Sequence, residues 1–470
     1  MTPTSVQWVP RNHIAAAAWL LLLTIAISLP LIANPGFFNH DELQKIDHVL
    51  QFGLRDYIEH YVVLRQGSEF GTPVRPVSFL IQGLVALFMP NYVFAIHLVD
   101  VVMHGVIAFA LYAVVVQLHG DRRFAWVTAL LFAASPLVMF SVGWPAALMD
   151  RLYVLFGLLA LRAAHSYVIQ AKSTFSLLGV AVCSALAILS KETAMVLPVA
   201  IAILVLISPE QIRSRRLWIA ALAWVMPVVL FLLYRLPAVL NSFGNRGSDG
   251  PYSPSFMHAL DGLQVYWAYP FLYQLTEMVN WVFLSQIELN LAALAHVVLL
   301  LLVFYAFGWR VAAAYVGAYF VSLAPVLMIS IKGAHYMYGA AVVLSTALAA
   351  LLMLRWRRPR YGLTIVPVVL AITLLVHTWN SQRFIFETGE CMSRALASAE
   401  GAYLASSRPT HMLIIPDEGA RGHIVHRFAT GRNQLGPYHP VRFSVADALP
   451  AQSGANAYGL TANCVIYRRD

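Results

Sequence analysis

Residues 14–33 read IAAAAWLLLLTIAISLPLIA, twenty positions without one ionisable side chain. A helix rises about 1.5 Å per residue, so such a run reaches across a hydrocarbon core of about 30 Å. The run ends in Asn34-Pro35-Gly36 rather than at a small-residue cleavage site, and reads as an uncleaved first span rather than a signal peptide. The same criterion places further spans at 91–118, 124–143, 146–169, 174–190, 192–208, 217–237, 288–308, 311–331, 335–354 and 361–379. The sequence therefore predicts an all-α polytopic membrane protein of about eleven transmembrane helices. Its least secure boundary is at Ser190, where only Lys191 and Glu192 interrupt a long apolar stretch.

Composition agrees. Of 470 residues, 60% are hydrophobic and 11% charged, against about 25% charged in a soluble domain. A chain this apolar cannot cover a water-facing surface, so its main solvent is the lipid bilayer. No repeat of solenoid or propeller period and no low-complexity tract interrupts it. The net charge of +9 does not indicate a nucleic-acid partner, because the cations sit in short loops between apolar runs. Arg122-Arg123, Arg213 with Arg215-Arg216, and Arg355, Arg357, Arg358 and Arg360 form such groups. With a cytoplasmic N-terminus, the basic loops 119–123, 209–216 and 355–360 all fall inside, as positive-inside bias requires. The tail from about 380 then lies outside, in a periplasmic or extracellular position.

Two outer loops, 34–90 and 238–287, are too long to be simple connectors within the 1–379 membrane domain. The first carries an amphipathic stretch (Leu43, Ile46, Val49, Leu50, Leu54) and a short apolar run from Pro76 to Pro90, read as a re-entrant or interfacial helix. The second is rich in aromatics, Tyr252, Tyr266, Trp267, Tyr269, Tyr273 and Trp281, as interfacial belts are. Both are expected to lie on the outer leaflet and roof the bundle. Residues 380–470 read as a small α/β domain, with a helix over 381–407 and strands at 411–416 and 462–468. Cys391 and Cys464 share this outer domain, where the redox environment permits a disulfide; spacing alone leaves their pairing open.

Ionisable residues cost about 2.5–3.5 kcal/mol each at mid-helix on insertion scales, so each one asks for a reason. They gather at span ends on the outer side: Asp41 and Glu42 after the first span, Arg75, Asp150-Arg151, Lys191-Glu192, and Lys332 with His335. Each has a bland reading. Asp41 and Glu42 suit the start of the amphipathic helix. Arg75 and Lys332 suit interfacial anchors. Asp150-Arg151 suits a self-satisfied pair, and Lys191-Glu192 a turn between spans. His335 has no second His or carboxylate at ligand spacing, so no metal ligand set is assigned; participation of a divalent cation stays open. Together the groups describe an outward cavity with carboxylates and several cations beside lipid. That suits a substrate that is both a lipid and a phosphate.

Four stretches in this order carry a family resemblance: Asp41-Glu42; Arg75-Pro76-Val77-Ser78-Phe79-Leu80; Ser135-Pro136-Leu137 leading through Val142 and Trp144 to Asp150; and Leu189-Ser190-Lys191-Glu192. His335-Tyr336-Met337-Tyr338 adds a weaker fifth. On these the chain resembles the GT-C class of membrane glycosyltransferases. Within that class it resembles the bacterial relatives of the transmembrane O-mannosyltransferases that carry tetratricopeptide repeats. The resemblance implies a bacterial inner-membrane enzyme that moves a sugar from a polyprenyl-phosphate donor to a hydroxyl of a glycan or protein acceptor, with inversion, on the outer face. Asp41 would be the catalytic base and Glu42 its assistant. Arg75, Lys191, Lys332 and His335 would hold the donor phosphate, supported by Asp150, Arg151 and Glu192. The chain departs from the family in having Ser135, Val138 and Phe140 where His and Glu are frequent, Asp41-Glu42 where two aspartates are frequent, and no repeat-containing half. A lipid-linked substrate transporter or flippase and a catalytically silent scaffold are the rival classes.

Overall fold

The computed structural model describes residues 12–37, 41–63, 74–89, 93–171, 173–244, 255–272, 285–357, 362–406, 408–420, 434–435, 439–446 and 456–469. Its helices, in chain order, are α1 His13–Ile27, α2 Leu29–Ile32, α3 Asp41–Tyr57, α4 Pro76–Phe88, α5 Val93–His119, α6 Arg122–Ala133, α7 Pro136–Val142 and α8 Leu148–Val168. There follow α9 Thr174–Ser190, α10 Ala202–Ile207, α11 Arg215–Gly244, α12 Phe256–Ala268, α13 Gln286–Phe307, α14 Trp309–Leu327, α15 Tyr338–Arg357 and α16 Gly362–Ala405.

Among the described residues, α5, α13, α14, residues 215–237 of α11 and residues 334–354 ending in α15 are each long and apolar enough to cross a membrane. A sixth crossing arises if α6 and α7, bent by 57°, count as one. The expected count of about eleven is thus met in part. The reasons differ from helix to helix. The first apolar run breaks at Ser28, beside Pro30, into a 15-residue helix and one short turn. Helix α8 is 21 residues long but carries Asp150 and Arg151 in its first turns and Arg162 later. The segment after Lys191 is wound as a 3-10 helix over Glu192–Ile201 before α10. At about 2.0 Å per residue in the first part and 1.5 Å in the second, that short segment still extends roughly 29 Å.

The short run expected to be re-entrant is α4, 13 residues long, and it packs against α3, α8 and α9. In the 238–287 segment the aromatics that the structure describes turn inward rather than forming a belt. Tyr266 and Tyr269 are fully buried, and Trp267 stacks on His296 at 3.8 Å. They do so because α12 packs on α13 and α14 as part of the bundle, while its opposite face keeps Phe256, Met257 and Leu260 exposed. Tyr252, Tyr273 and Trp281 lie outside the described residues.

The expected boundary near 380 falls inside α16, one helix of 44 residues. Its first half packs on α7 and α15, and its second half supplies Cys391, Met392, Ala395, Ala399 and Tyr403 to a separate core. That core is closed by a sheet of β1 His411–Pro416, β4 Arg442–Val445, β5 Asn456–Leu460 and β6 Ile466–Arg468, while β2 Gln434–Leu435 and β3 His439–Pro440 pair apart from it. Strand order is β4-β1-β5-β6, with β1 parallel to both neighbours and β6 antiparallel. Central β1 is covered on both faces, Met412 and Ile414 on one and Leu413 and Ile415 on the other, which explains its unbroken apolar sequence. The strand expected from 462 starts only at Ile466, because residues 462–463 form a turn and Cys464 holds a positive φ of 63°. Cys391 on α16 and Cys464 are joined in a disulfide across 73 residues.

Helix α16 is also fixed to the segment that precedes the acidic pair. Asn34 donates to the Ile385 carbonyl at 3.2 Å and accepts from the Gly36 amide at 3.1 Å. A Cβ at Gly36 would stand 2.1 Å from the Gly389 carbonyl oxygen, so only glycine admits this approach.

Opening the Cys391–Cys464 bridge frees a long loop in the unfolded state and costs about 2–5 kcal/mol. Cys464→Ser is therefore expected to speed proteolytic clipping within residues 408–470 of the full chain in detergent, while the membrane helices stay protected. Identical digestion of the two proteins would contradict it.

Candidate active site

The site is built where α9 ends. Ser190 closes α9, and Lys191 is extended (φ −158°, ψ 136°), so Lys191 and Glu192 leave the backbone on opposite sides. Lys191 reaches α8 and pairs with Asp150, both fully buried. Glu192 reaches the segment before α4, accepting from the Val74 amide at 3.2 Å and from Arg75 Nε at 2.8 Å. Ser78 donates to the Ser190 carbonyl at 2.9 Å and fixes α4 against the same corner. Thus the two adjacent residues pair crosswise with separate elements, where a plain turn between spans would have left them in solvent. The Arg75–Glu192 pair is the exposed one, with about a quarter of each side chain accessible (23% and 25%). Burial lowers the basicity of Arg75, but the Glu192 carboxylate beside it more than compensates, and the guanidinium stays charged.

Asp150 and Arg151 are not a self-satisfied pair. On a helix, adjacent side chains diverge, and Arg151 instead meets Asp100 of α5 at 2.7 Å, deep in the bundle. Three ion pairs therefore cross between α5, α8, the α9 end and the α4 start. Two acceptors among them, Asp150 Oδ2 and Asp100 Oδ2, have no hydrogen-bond partner among the described residues.

His335 and Tyr336 cap this cluster from the turn before α15. The Lys191 ammonium lies 4.6 Å over the Tyr336 ring. His335 is buried, packs edge-on to Trp144 at 4.9 Å, and its Nδ1 has no hydrogen-bond partner among the described residues. Lys332 does not join them. Its ammonium donates to the carbonyls of His258 (2.8 Å), Leu327 (3.1 Å) and Ile329 (2.6 Å), capping α14 and tying it to α12. Burial there lowers its pKa from the usual lysine value, an effect that Asp261 opposes. Tyr266 accepts from the Gly333 amide at 3.1 Å, so α12 holds the turn that presents His335.

The side chains of Asp41 and Glu42 lie outside the described residues. Their helix is described, and one turn beyond Asp41 Lys45 donates to Gln82 of α4. Gln82 in turn donates to the carbonyls of Pro145 (3.4 Å) and Ala146 (3.1 Å), just before α8. An apolar groove runs beside this contact, lined by Ile46, Val85, Met103 and Leu148, with Lys45 and Asp100 also on its wall. Among the described residues no three His, Cys, Asp or Glu side chains group as a metal ion would require.

Residues 73–234 match the family model described as dolichyl-phosphate-mannose-protein mannosyltransferase. Over that stretch the chain is similar to a family of membrane glycosyltransferases. The matched stretch, about a third of the chain, includes Arg75, Asp100, Asp150, Arg151, Lys191 and Glu192, that is, all three ion pairs. No curated protein matches the chain. Among solved structures, the chain is similar to the apo oligosaccharyltransferase of Archaeoglobus fulgidus, with 11% identity and a TM-score of 0.47 over 97% of this chain. It spans 66% of that protein's length. It is also similar to ArnT from Cupriavidus metallidurans bound to undecaprenyl phosphate, with 12% identity and a TM-score of 0.45 over 92% of this chain and 85% of that one.

The sequence reading missed the inner part of this ion-pair cluster. Asp100 lies on an apolar helix, flanked by His97 and His104, all three buried. His97 Nε2 is 2.9 Å from the Gly36 carbonyl, and His104 Nδ1 is 2.7 Å from the Tyr338 hydroxyl. Positions 97, 100 and 104 share one helical face, and that polar stripe in an apolar span was the available signal.

Removing one partner of the Asp100–Arg151 pair strands a buried charge, at a cost of about 3–5 kcal/mol. Asp100→Leu and Arg151→Met are each expected to lower the thermal midpoint sharply in detergent, and the double variant to recover most of the loss. Additive losses in the double variant would show that the two groups do not compensate each other.

Proposed function

We propose that this protein is an inverting glycosyltransferase that takes a sugar from a polyprenyl-phosphate donor and passes it to a hydroxyl acceptor, a cell-surface glycan or a protein, on the outer face of the membrane. The observation that carries the reading is the pairing of Arg75 with Glu192 and Lys191 with Asp150 at one corner, beside an apolar groove and at the end of membrane helices. Each carboxylate keeps its cation charged and aimed where water is scarce. Glu192 occupies Nε of Arg75 and the Met149 sulfur accepts from Nη1 at 2.6 Å, so Nη2 is the donor to meet a phosphate oxygen, with Lys191 behind it. Asp150 Oδ2 and His335 Nδ1, both unpartnered among the described residues, suit hydroxyls of the transferred sugar. The groove lined by Val85 and Met103 suits the first isoprene units.

In this scheme Asp41 takes the proton from the acceptor hydroxyl as its oxygen attacks the anomeric carbon. The bond from that carbon to the phosphate oxygen breaks, and its electron pair leaves with polyprenyl phosphate. Arg75 and Lys191 meet the charge that develops there. Glu42 assists, and Lys332 acts at a distance by fixing the turn that carries His335. The helix of the acidic pair reaches the corner through Lys45 and Gln82, which supports this placement.

The full reading has eleven crossings, an N-terminus in the cytoplasm and residues 380–470 outside, in a bacterial inner membrane. The basic loops and the Cys391–Cys464 disulfide, which belongs in an oxidising compartment, support that orientation.

The test is a comparison of cell-surface glycans and glycoproteins by mass spectrometry between a deletion strain and strains complemented with wild type or Asp41→Asn. One sugar is expected to be absent on deletion, restored by wild type and not by Asp41→Asn at equal membrane abundance. Restoration by Asp41→Asn would remove Asp41 from the chemistry. A second expectation concerns the donor: Arg75→Ala should raise its KM about tenfold or more, since charge-assisted contacts contribute about 1.5–3 kcal/mol. An unchanged donor KM would place the phosphate elsewhere.

A further inference from the structure

A second cavity, of about 630 Å3, lies at the opposite end of the helices that frame the ion pairs. It is lined by Val205, Leu206, Leu217, Trp218, Trp309 and Arg310, among other apolar side chains. The placement follows from topology. The segment that starts at Glu192 reaches this cavity at its far end, in α10. Helix α14 starts here at Trp309 and ends next to Lys332 and His335. Its size falls in the range of about 300–1,000 Å3 typical of ligand sites. Leu206, Trp218 and Trp309 remain more than half exposed around it, so it opens sideways to lipid.

Its rim is cationic in a way the helices themselves do not favour. Arg215 and Arg216 open α11, and Arg310 is the second residue of α14, with no acid in either first turn. The start of a helix carries partial positive charge, which makes it a poor place for a cation. Arg213 precedes α11 in the short 3-10 helix whose Ile212 lines the same cavity. Arg216 is committed, donating to the Tyr167 carbonyl at 3.2 Å. Glu210 is the one acid among residues 209–216. Positive-inside bias accounts for cations in these loops, but not for an apolar recess beneath them. Arg310 in the lining, Arg213 and Arg215 in the chain beside the lining residues Ile212 and Leu217, and a helix start on each side call for an anion with a hydrocarbon body. Trp218 fixes the recess wall by donating from its indole to the Ile212 carbonyl at 3.0 Å, as anchoring aromatics do at headgroup depth.

We propose that this recess holds one anionic phospholipid of the leaflet opposite the ion-pair cluster, with acyl chain in the cavity and phosphate against Arg310, Arg213 and Arg215. The site is distinct from the donor site and does not depend on it. Because α14 and the 192–207 segment span from one to the other, an occupied recess braces the far ends of the elements that carry Glu192 and, through Lys332, the His335 turn.

The test is native mass spectrometry of the full chain in mild detergent, incubated with an equimolar mixture of dioleoylphosphatidylglycerol and dioleoylphosphatidylcholine. Wild type is expected to retain one phosphatidylglycerol with about fivefold or greater preference, the effect of one or more arginines near a lipid phosphate. Arg310→Ala combined with Arg213→Ala should bring the two lipids to parity, Arg310→Lys should keep the preference, and Val205→Trp should expel both lipids by filling the recess. Size-exclusion profiles of the variants check that the fold persists. Equal retention of the two lipids by wild type, a preference untouched by the double arginine variant, or displacement by millimolar glycerol phosphate would overturn the proposal.

Discussion

Six paired charges, four buried inside an apolar bundle and two at its edge, set the terms for the rest of this structure. Each of Asp100, Asp150, Glu192, Arg75, Arg151 and Lys191 would be expensive alone in lipid or in a dry protein interior. Paired across elements, they become the constraint that positions those elements. Lys191 and Asp150 hold the end of α9 to α8; Glu192 and Arg75 hold the same corner to α4; Arg151 and Asp100 hold α8 to α5. A hydrophobic contact tolerates sliding, whereas an ion pair in low dielectric does not. The corner is thereby fixed in the way that a site for a charged group needs.

The corner combines buried charge with buried acceptors that lack hydrogen-bond partners among the described residues. Elsewhere some buried polar groups are satisfied by ordinary means, as where Ser184 donates to the Trp224 carbonyl, Thr128 to the Phe124 carbonyl, and Lys332 caps α14, while others, among them the Tyr112 hydroxyl and the Trp224 indole, have no hydrogen-bond partner among the described residues. At the corner, Asp150 Oδ2, Asp100 Oδ2 and His335 Nδ1 remain without hydrogen-bond partners among the described residues. Unsatisfied buried acceptors beside paired cations mark a place where a ligand completes the hydrogen bonding. The structure also ties the C-terminal α/β core to this corner. Helix α16 runs unbroken from the bundle into the α/β core, and Gly389 and Ile385 clamp the 34–36 segment that leads into α3.

Much of this was legible in the sequence, and the failures have physical causes. Arg75, Asp150, Lys191 and Glu192 stood out because charges between apolar runs demand a reason, and the structure brings all four together. Their pairing was not legible: sequence neighbours such as Asp150 and Arg151 invite a local pair, while helical geometry sends them to different partners. Asp100 was overlooked because attention fell on span ends rather than on the polar face of α5. Lys332 looked like a phosphate ligand because a lysine at a span end gives no hint that three carbonyls lie within its reach. Strand β1 was read to its true limits from an unbroken apolar run, whereas β4 and β5 are short and carry no such run. The bundle aromatics Tyr266 and Trp267 were assigned to an interface since aromatics suit both the belt and the core, and composition does not separate the two.

The central claim is that the Arg75 and Lys191 corner receives the phosphate of a prenyl carrier. The most direct measurement is equilibrium binding of a short-chain prenyl phosphate and of the matching uncharged prenol to the purified full chain, for wild type and for Arg75→Gln, each checked for an unchanged melting profile. The account predicts that wild type binds the phosphate much more tightly than the prenol, and that Arg75→Gln loses about tenfold or more for the phosphate while leaving the prenol unaffected. Equal affinity for phosphate and prenol, or equal phosphate affinity in the two proteins, would contradict it.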